Sequence, residues 1–220
     1  MYKNLINSFK DTIDDNPFES MTLTLSLKYL KDSDSNLNFL IGPAGSGKTF
    51  ILKKYFSNEI YLQPILTKEE IDKNLSKDKI ILVDEAQLLD IKLLEYIRIL
   101  SDNGYRFILA MHLDEAKEIL QKEHFKSRNI NVVTLQSLTK EEMIKYLNIK
   151  LLQNNANHIF SKAEFNKIYN YTNGNFRYIK KFVKTLFELL QFATENNLKY
   201  KKIDNCLLTM SAIHLGLEND

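Results

Sequence analysis

The chain of 220 residues carries one cysteine, no tryptophan, almost no net charge and no long apolar run, and most of these shortages exclude something. Cys206 has no partner for an internal disulfide, and His124, His158 and His214 lack metal-ligand spacing. Neither a disulfide scaffold nor a structural zinc site is expected, and the reducing cytoplasm is the expected location. Thirty Lys+Arg against 28 Asp+Glu leave a formal charge of +2, far from the basic excess that announces nucleic-acid or membrane binding by charge alone. No apolar run reaches the roughly 18 residues that span a bilayer. Acidic Asp11, Asp14 and Asp15 follow closely on Met1, where a signal peptide would carry an apolar block. No direct membrane span is expected, so a role at the inner face of a membrane would come through a partner. Internal repeats and low-complexity tracts are also missing.

What remains is an average globular composition, 44% hydrophobic and 26% charged, sufficient for one large domain or a medium domain with a small one attached. Residues 1–30 follow a helical pattern broken at Asp14-Asp15-Asn16-Pro17, because proline fixes φ and disfavours helix in the residue before it. A polar loop at 31–36 then delivers five short apolar runs, at 37–41, 60–63, 79–83, 106–110 and 130–135, with helix-patterned stretches between them. Strands joined by helical crossovers predict a five-stranded, mostly parallel sheet covered on both faces. After Leu135 about four helices follow, the first capped by Ser137 or Thr139 with Glu141 and Glu142 in its first turn. The expected division is an α/β domain of residues 1–137 and a helical domain of 138–220.

Two motifs carry chemistry. Gly42-Pro43-Ala44-Gly45-Ser46-Gly47-Lys48-Thr49 matches G-x-x-x-x-G-K-[ST] in full, after a predicted strand and before an amphipathic helix. Its glycines let backbone N–H groups converge on phosphate oxygens at a helix N-terminus. Lys48 adds a point charge at the β/γ-phosphates, and the Thr49 hydroxyl is placed to ligate Mg²⁺. The second motif is the apolar run Ile80-Ile81-Leu82-Val83 ending in Asp84-Glu85. Asp84 would hold Mg²⁺ through water, and Glu85 would act as the base that polarises the attacking water. Alone, an acidic pair after a strand is often a solvated cap; behind a phosphate loop it reads as a Walker-B element.

With both motifs present, the chain resembles the AAA+ superfamily of P-loop ATPases. It is most similar to the general-secretion-pathway A (ExeA/GspA-like), pilus-biogenesis and transposition-type members. The likeness rests on Asn16-Pro17-Phe18, the phosphate loop, Leu82-Val83-Asp84-Glu85-Ala86-Gln87, Phe107-Ile108-Leu109-Ala110, Phe125-Lys126-Ser127-Arg128, Leu138-Thr139-Lys140-Glu141-Glu142 and Thr172-Asn173-Gly174-Asn175-Phe176-Arg177. The resemblance implies an ATP- and Mg²⁺-dependent ATPase whose helical domain is a lid. It places His112 where such proteins sense the γ-phosphate, although secretion-type members carry Gln there; a surface histidine is the other reading. It places Arg128 as an arginine finger acting in trans, against an exposed loop arginine. It makes Arg177 a second sensor in the lid, against a solvated basic face shared with Lys180 and Lys181.

A finger in trans implies a nucleotide-dependent homo-oligomer. Three functions follow from the resemblance. The first is an ATPase powering or assembling a secretion, pilus or DNA-uptake (transformation) apparatus. Full-length secretion members carry a membrane segment and a peptidoglycan-binding part, so a soluble accessory ATPase is the expected form. The alternatives are a DNA-associated regulator or loader in transposition or replication, and a nucleotide-gated scaffold with little turnover. Lys199-Tyr200-Lys201-Lys202 could meet nucleic-acid phosphates but equals an ordinary solvated loop. Phe182, Val183, Leu186, Phe187 and Leu190 recur at helical spacing and are expected in a core, as is Cys206.

Overall fold

Alternation along buried strands builds the sheet region from both faces at once. The computed structural model describes residues 2–10, 18, 20–63, 67–126, 128–156, 159–199 and 202–217; Asn16-Pro17, Ser127, His158 and Tyr200-Lys201 lie outside them. In chain order come α1 (Tyr2–Ser8), α2 (Met21–Lys31), β1 (Leu37–Gly42), α3 (Lys48–Tyr55), β2 (Ile60–Leu62) and α4 (Lys68–Lys73). Next are β3 (Ile80–Val83), a 3-10 turn (Ala86–Leu88), α5 (Ile91–Asp102), β4 (Arg106–His112), α6 (Leu113–Leu120), α7 (Glu123–Lys126) and β5 (Ile130–Thr134). The last helices are α8 (Lys140–Gln153), α9 (Lys162–Thr172), α10 (Phe176–Glu195) and α11 (Asn205–His214).

The five strands form one parallel sheet in the order β2-β3-β4-β1-β5. Successive side chains of a strand point to opposite faces. Phe39, Ile41, Ile81, Val83, Phe107, Leu109 and Met111 therefore enter one core layer, against Ile97 of α5 and Ala116 of α6. Leu40, Leu82, Ile108 and Ala110 enter the other, with Leu30 of α2 and Ile51 and Leu52 of α3. Burial on both faces is why these strands form nearly unbroken apolar runs in the sequence.

The chain divides into two compact units, Met21–Gln136 and a second made of Met1–Ser20 with Ser137–Asp220. Helix α1 and Phe9, expected in the α/β domain, pack instead with the helices. Leu5 of α1 and Phe9 are buried beside Tyr146, Phe182 and Phe187, and the Phe9 ring lies edge-on to Tyr146 at 6.3 Å. A helical pattern in the sequence defines an apolar face and leaves open which neighbour covers it. Phe182, Val183, Leu186, Phe187 and Leu190 are core, as expected. Cys206 is not: it is exposed, because Leu207, Leu208, Ser211 and Ala212 form the buried face of α11.

Turn chemistry holds the start of α10 in register. Gly174 adopts φ +68°, its carbonyl accepts the Leu138 N–H at 2.9 Å, and a Cβ there would stand 2.0 Å from the Leu138 carbonyl oxygen, so only glycine fits. Asn175 then caps α10 through its Oδ1, which accepts from the N–H groups of Arg177 and Tyr178. Thr139 is the residue that caps α8, in a reciprocal capping box with Glu142. Among the described residues no helix is long and apolar enough to cross a membrane.

Candidate functional site

In a parallel sheet the ends of neighbouring strands meet at one edge, and here β1, β4 and β3 lie side by side. Gly42, the last residue of β1, pairs in register with His112, the last of β4, while Asp84 and Glu85 follow the last residue of β3. The phosphate loop, His112 and the acidic pair are thus brought together at the carboxyl ends of the strands, where ligands bind in open α/β sheets.

The loop is shaped by its glycines. A Cβ on Gly42 would stand 2.7 Å from the Leu135 carbonyl oxygen and 2.8 Å from Ser46 Oγ, so backbone and loop close together there only without a side chain. Gly47 sits at φ +99°, a left-handed conformation that glycine adopts without strain, and is the N-cap of α3. Pro43 O accepts the Ser46 N–H at 3.2 Å, closing the turn through Ala44 and Gly45. Lys48 is buried, and its Nζ donates to Gly42 O at 2.8 Å and Pro43 O at 3.0 Å, pinning the ammonium against the loop. Thr49 follows in the first turn of α3.

Two features test whether a phosphate group fits this cradle. Ser46 Oγ is buried with no hydrogen-bond partner among the described residues, the condition of a hydroxyl that a ligand's acceptor or donor would satisfy. The N-terminus of α3, which follows directly on Gly47, turns the positive end of its dipole to the same loop. Both suit a polyphosphate, and the residues present fit Mg²⁺ as well, since the Thr49 hydroxyl and a buried carboxylate, Asp84, are the oxygen donors such a cation takes.

That carboxylate, Asp84, is only 4% exposed. Its Oδ1 accepts the N–H of Glu85 at 3.1 Å and its Oδ2 accepts the hydroxyl of Tyr61, on β2, at 2.8 Å. Burial first, then the hydrogen bond to Asp84 and the negative charges of Asp84 and Glu85, push the Tyr61 phenol well above its ordinary value. Tyr61 therefore stays a hydroxyl donor throughout the neutral range. Glu85 holds a left-handed backbone, φ 50°, unusual for a residue with a Cβ and typical of strained functional positions. Its Oε2 accepts from Gln87 Nε2 at 2.5 Å and lies 3.3 Å from His112 Nε2. Two side chains thus converge on one oxygen of the Glu85 carboxylate.

Arg128 stands elsewhere. It precedes β5, whose first residue Ile130 pairs with Leu37 at the start of β1, so it lies at the opposite end of the sheet from this chain's own phosphate loop. It is exposed, and its Nη2 is 3.5 Å from Asp102 Oδ2, an oxygen that also receives Arg98 at 2.7 Å. Arg177 belongs to the helical unit, its backbone N–H held by the Asn175 cap. Tyr61 and Gln87 are functional candidates that motif reading passed over. Gln87 follows the acidic pair by two residues and could have been found there; Tyr61 carries no local signal.

Comparison with known proteins gives the fold a class. No protein-family model matches the sequence, and no curated protein matches it either. Solved structures do. The Walker-type ATPase paby2304 of Pyrococcus abyssi superposes with a TM-score of 0.70 at 13% identity, covering 95% of this chain and 76% of that one. The RuvB Holliday junction branch migration motor of Thermotoga maritima gives 0.60 at 17% identity, covering 89% of this chain and 67% of its own. Domain III of the Thermotoga maritima replication initiation protein DnaA gives 0.54 at 16% identity, covering 92% and 94%. The chain has the AAA+ type P-loop NTPase fold: a five-stranded parallel sheet flanked by helices, with a helical C-terminal region.

Proposed function

We propose that the chain is a Mg²⁺-dependent ATPase of the AAA+ type, working as a nucleotide-dependent homo-oligomer on DNA or a DNA-bound partner. The observation that carries the ATPase reading is the convergence of Gly42–Thr49, Asp84, Glu85 and His112 at the ends of three adjacent strands. Gly42 to Thr49 would wrap the triphosphate, with Lys48 supplying positive charge at the β/γ-phosphates. Thr49 and Asp84 would hold Mg²⁺, which when bound neutralises phosphate charge. Glu85, oriented by Gln87 and His112, receives through Oε1 a proton from the attacking water as the water oxygen bonds to the γ-phosphorus and the bond to the β-phosphate oxygen breaks. ADP and phosphate leave. Arg177 would sense the γ-phosphate from the helical unit, and Arg128 would serve a neighbouring subunit, a role its place at the far end of the sheet suits.

The printed functions of two structural neighbours, branch migration and replication initiation, favour the DNA-associated reading. The secretion, pilus or DNA-uptake role expected from the sequence resemblance draws no support from these neighbours. The test is turnover of ATP with Mg²⁺ by the purified chain, with and without duplex DNA at several salt concentrations. Hydrolysis that Glu85→Gln abolishes while nucleotide binding persists is the expected result, together with DNA binding that weakens steeply with salt. A folded chain that binds neither ATP nor GTP with Mg²⁺ present refutes the reading; hydrolysis without DNA binding at low salt refutes its DNA half.

A further inference from the structure

We propose that Tyr61 is a positioning residue that aims the Asp84 carboxylate at the metal position, so that β2 tunes the Mg²⁺ dependence of nucleotide binding. The proposal rests on the ATPase reading above and adds to it a residue outside both motifs.

Register explains how Tyr61 gets there. Tyr61 pairs with Leu82 across the parallel β2–β3 ladder, and Asp84 lies two residues beyond Leu82, just past the end of β3 at Val83. A residue one step along the partner strand is within reach of a long aromatic side chain. The phenol oxygen accordingly ends 2.8 Å from Asp84 Oδ2. With Oδ1 taken by the Glu85 N–H, the carboxylate plane is held at both oxygens, while each oxygen retains a second lone pair for a metal-bound water. A buried carboxylate held by one bond would rotate about χ2; held by two it is preorganised.

The same ring has a second tie. Lys53 of α3 places its Nζ 5.2 Å from the Tyr61 ring centroid, and α3 is the helix that begins with Lys48. Tyr61 therefore bridges the helix of the phosphate loop and the carboxylate of the acidic pair. A phenylalanine would keep the ring, its packing and its contact with Lys53. Only the hydroxyl is specific to the carboxylate, and tyrosine is the residue that supplies it at this length.

The test is the Tyr61→Phe chain, with ATP binding measured in EDTA and across a Mg²⁺ titration. In EDTA the variant is expected to bind within about twofold of wild type, because the phosphate loop is untouched. The Mg²⁺ concentration for half-maximal enhancement of ATP binding should rise about tenfold, the loss expected of one hydrogen bond to a charged group. In an Asp84→Ala background, adding Tyr61→Phe should change the Mg²⁺ requirement no further. An unchanged Mg²⁺ requirement in Tyr61→Phe overturns the proposal. So does an equal loss of affinity with and without Mg²⁺, which would mark a general structural role, and so does an undiminished effect when Asp84 is already alanine. Wild-type chain that binds no nucleotide under either condition refutes the ATPase reading and the proposal together; Mg²⁺-strengthened binding that ignores Tyr61→Phe refutes the proposal alone.

Discussion

Gly42→Ala asks whether the phosphate loop is as tightly closed as the geometry states. The new Cβ would meet the Leu135 carbonyl oxygen at 2.7 Å, Leu135 Cβ at 3.1 Å and Ser46 Oγ at 2.8 Å. The serine hydroxyl can turn away. The Leu135 carbonyl cannot move so cheaply, because the Leu135 N–H donates to Ile41 O at 2.7 Å and ties that segment to the residue before Gly42. A relaxed carbon–oxygen contact is about 3.3 Å or more, so the two backbones must separate by about half an ångström. Overpacking of this size costs about 1–3 kcal/mol. With a urea dependence of about 1–3 kcal/mol per molar, the unfolding midpoint should fall by about 1 M. On the proposed ATPase reading nucleotide binding should suffer as well, since Gly42 O accepts from the Lys48 ammonium. A misplacement approaching 1 Å can cost up to about a hundredfold in a positioned site, and a loss of ATP affinity of about tenfold is expected here. Urea unfolding followed by circular dichroism and ATP binding in the same preparation measure both. If the alanine chain unfolds at the wild-type midpoint and binds ATP as tightly, the close approach of Gly42 to Leu135 is wrong.

Three further outcomes follow from other parts of the molecule. The Glu95 carboxyl is held below its ordinary value of 4.5, chiefly by its hydrogen bond from Arg98, so its stabilising contribution is present above that pH and is lost as pH falls through the lower folded value. Acid titration of stability should therefore be shallower below about pH 4.5 in Glu95→Gln than in wild type, and identical curves would refute this. Thr139→Ala removes the N-cap of α8 and should destabilise the helical unit by about 1 kcal/mol, read as a lower denaturation midpoint; Thr139→Ser should restore most of it. Cys206 should react with a thiol reagent in the native chain to one equivalent, and reaction only after denaturant would return it to the core.

How much of this was legible in the sequence depends on how far apart the cooperating residues lie along the chain. The loop Gly42–Thr49 could be read as one motif because its eight residues are contiguous, and the structure closes it on itself through the Lys48 bonds to the carbonyls of Gly42 and Pro43. The central strands were legible because burial on two faces leaves few polar positions to blur the run, as at Ile81, Leu82 and Val83. Helix-based inferences were weaker. The segment around α1 showed an apolar face, yet Leu5 and Phe9 could have covered a sheet or a helix bundle with equal ease, and only the aromatic rings of α8 and α10 decided it. Cys206 was misjudged because α11 is apolar nearly all round, so its pattern does not say which face is inside: Met210 and Ile213 are exposed beside it.

The site divides in the same way. Asp84 and Glu85 announce themselves because they end an apolar run. What readies them comes from other strands: Tyr61 from β2, 23 residues earlier, and His112 from the end of β4. A tyrosine in a strand has good β-propensity and suits a half-buried surface, so nothing local marks one that also donates to a buried carboxylate. Motif reading can therefore find the groups proposed to meet phosphate or water, since those within one loop or one strand end are close in sequence. The groups that orient them come from neighbouring strands, and the register of the sheet selects them. Pairing Tyr61 with Leu82 brings its hydroxyl to Asp84; a slip of one residue would turn the phenol to the opposite face and leave that carboxylate held by one hydrogen bond.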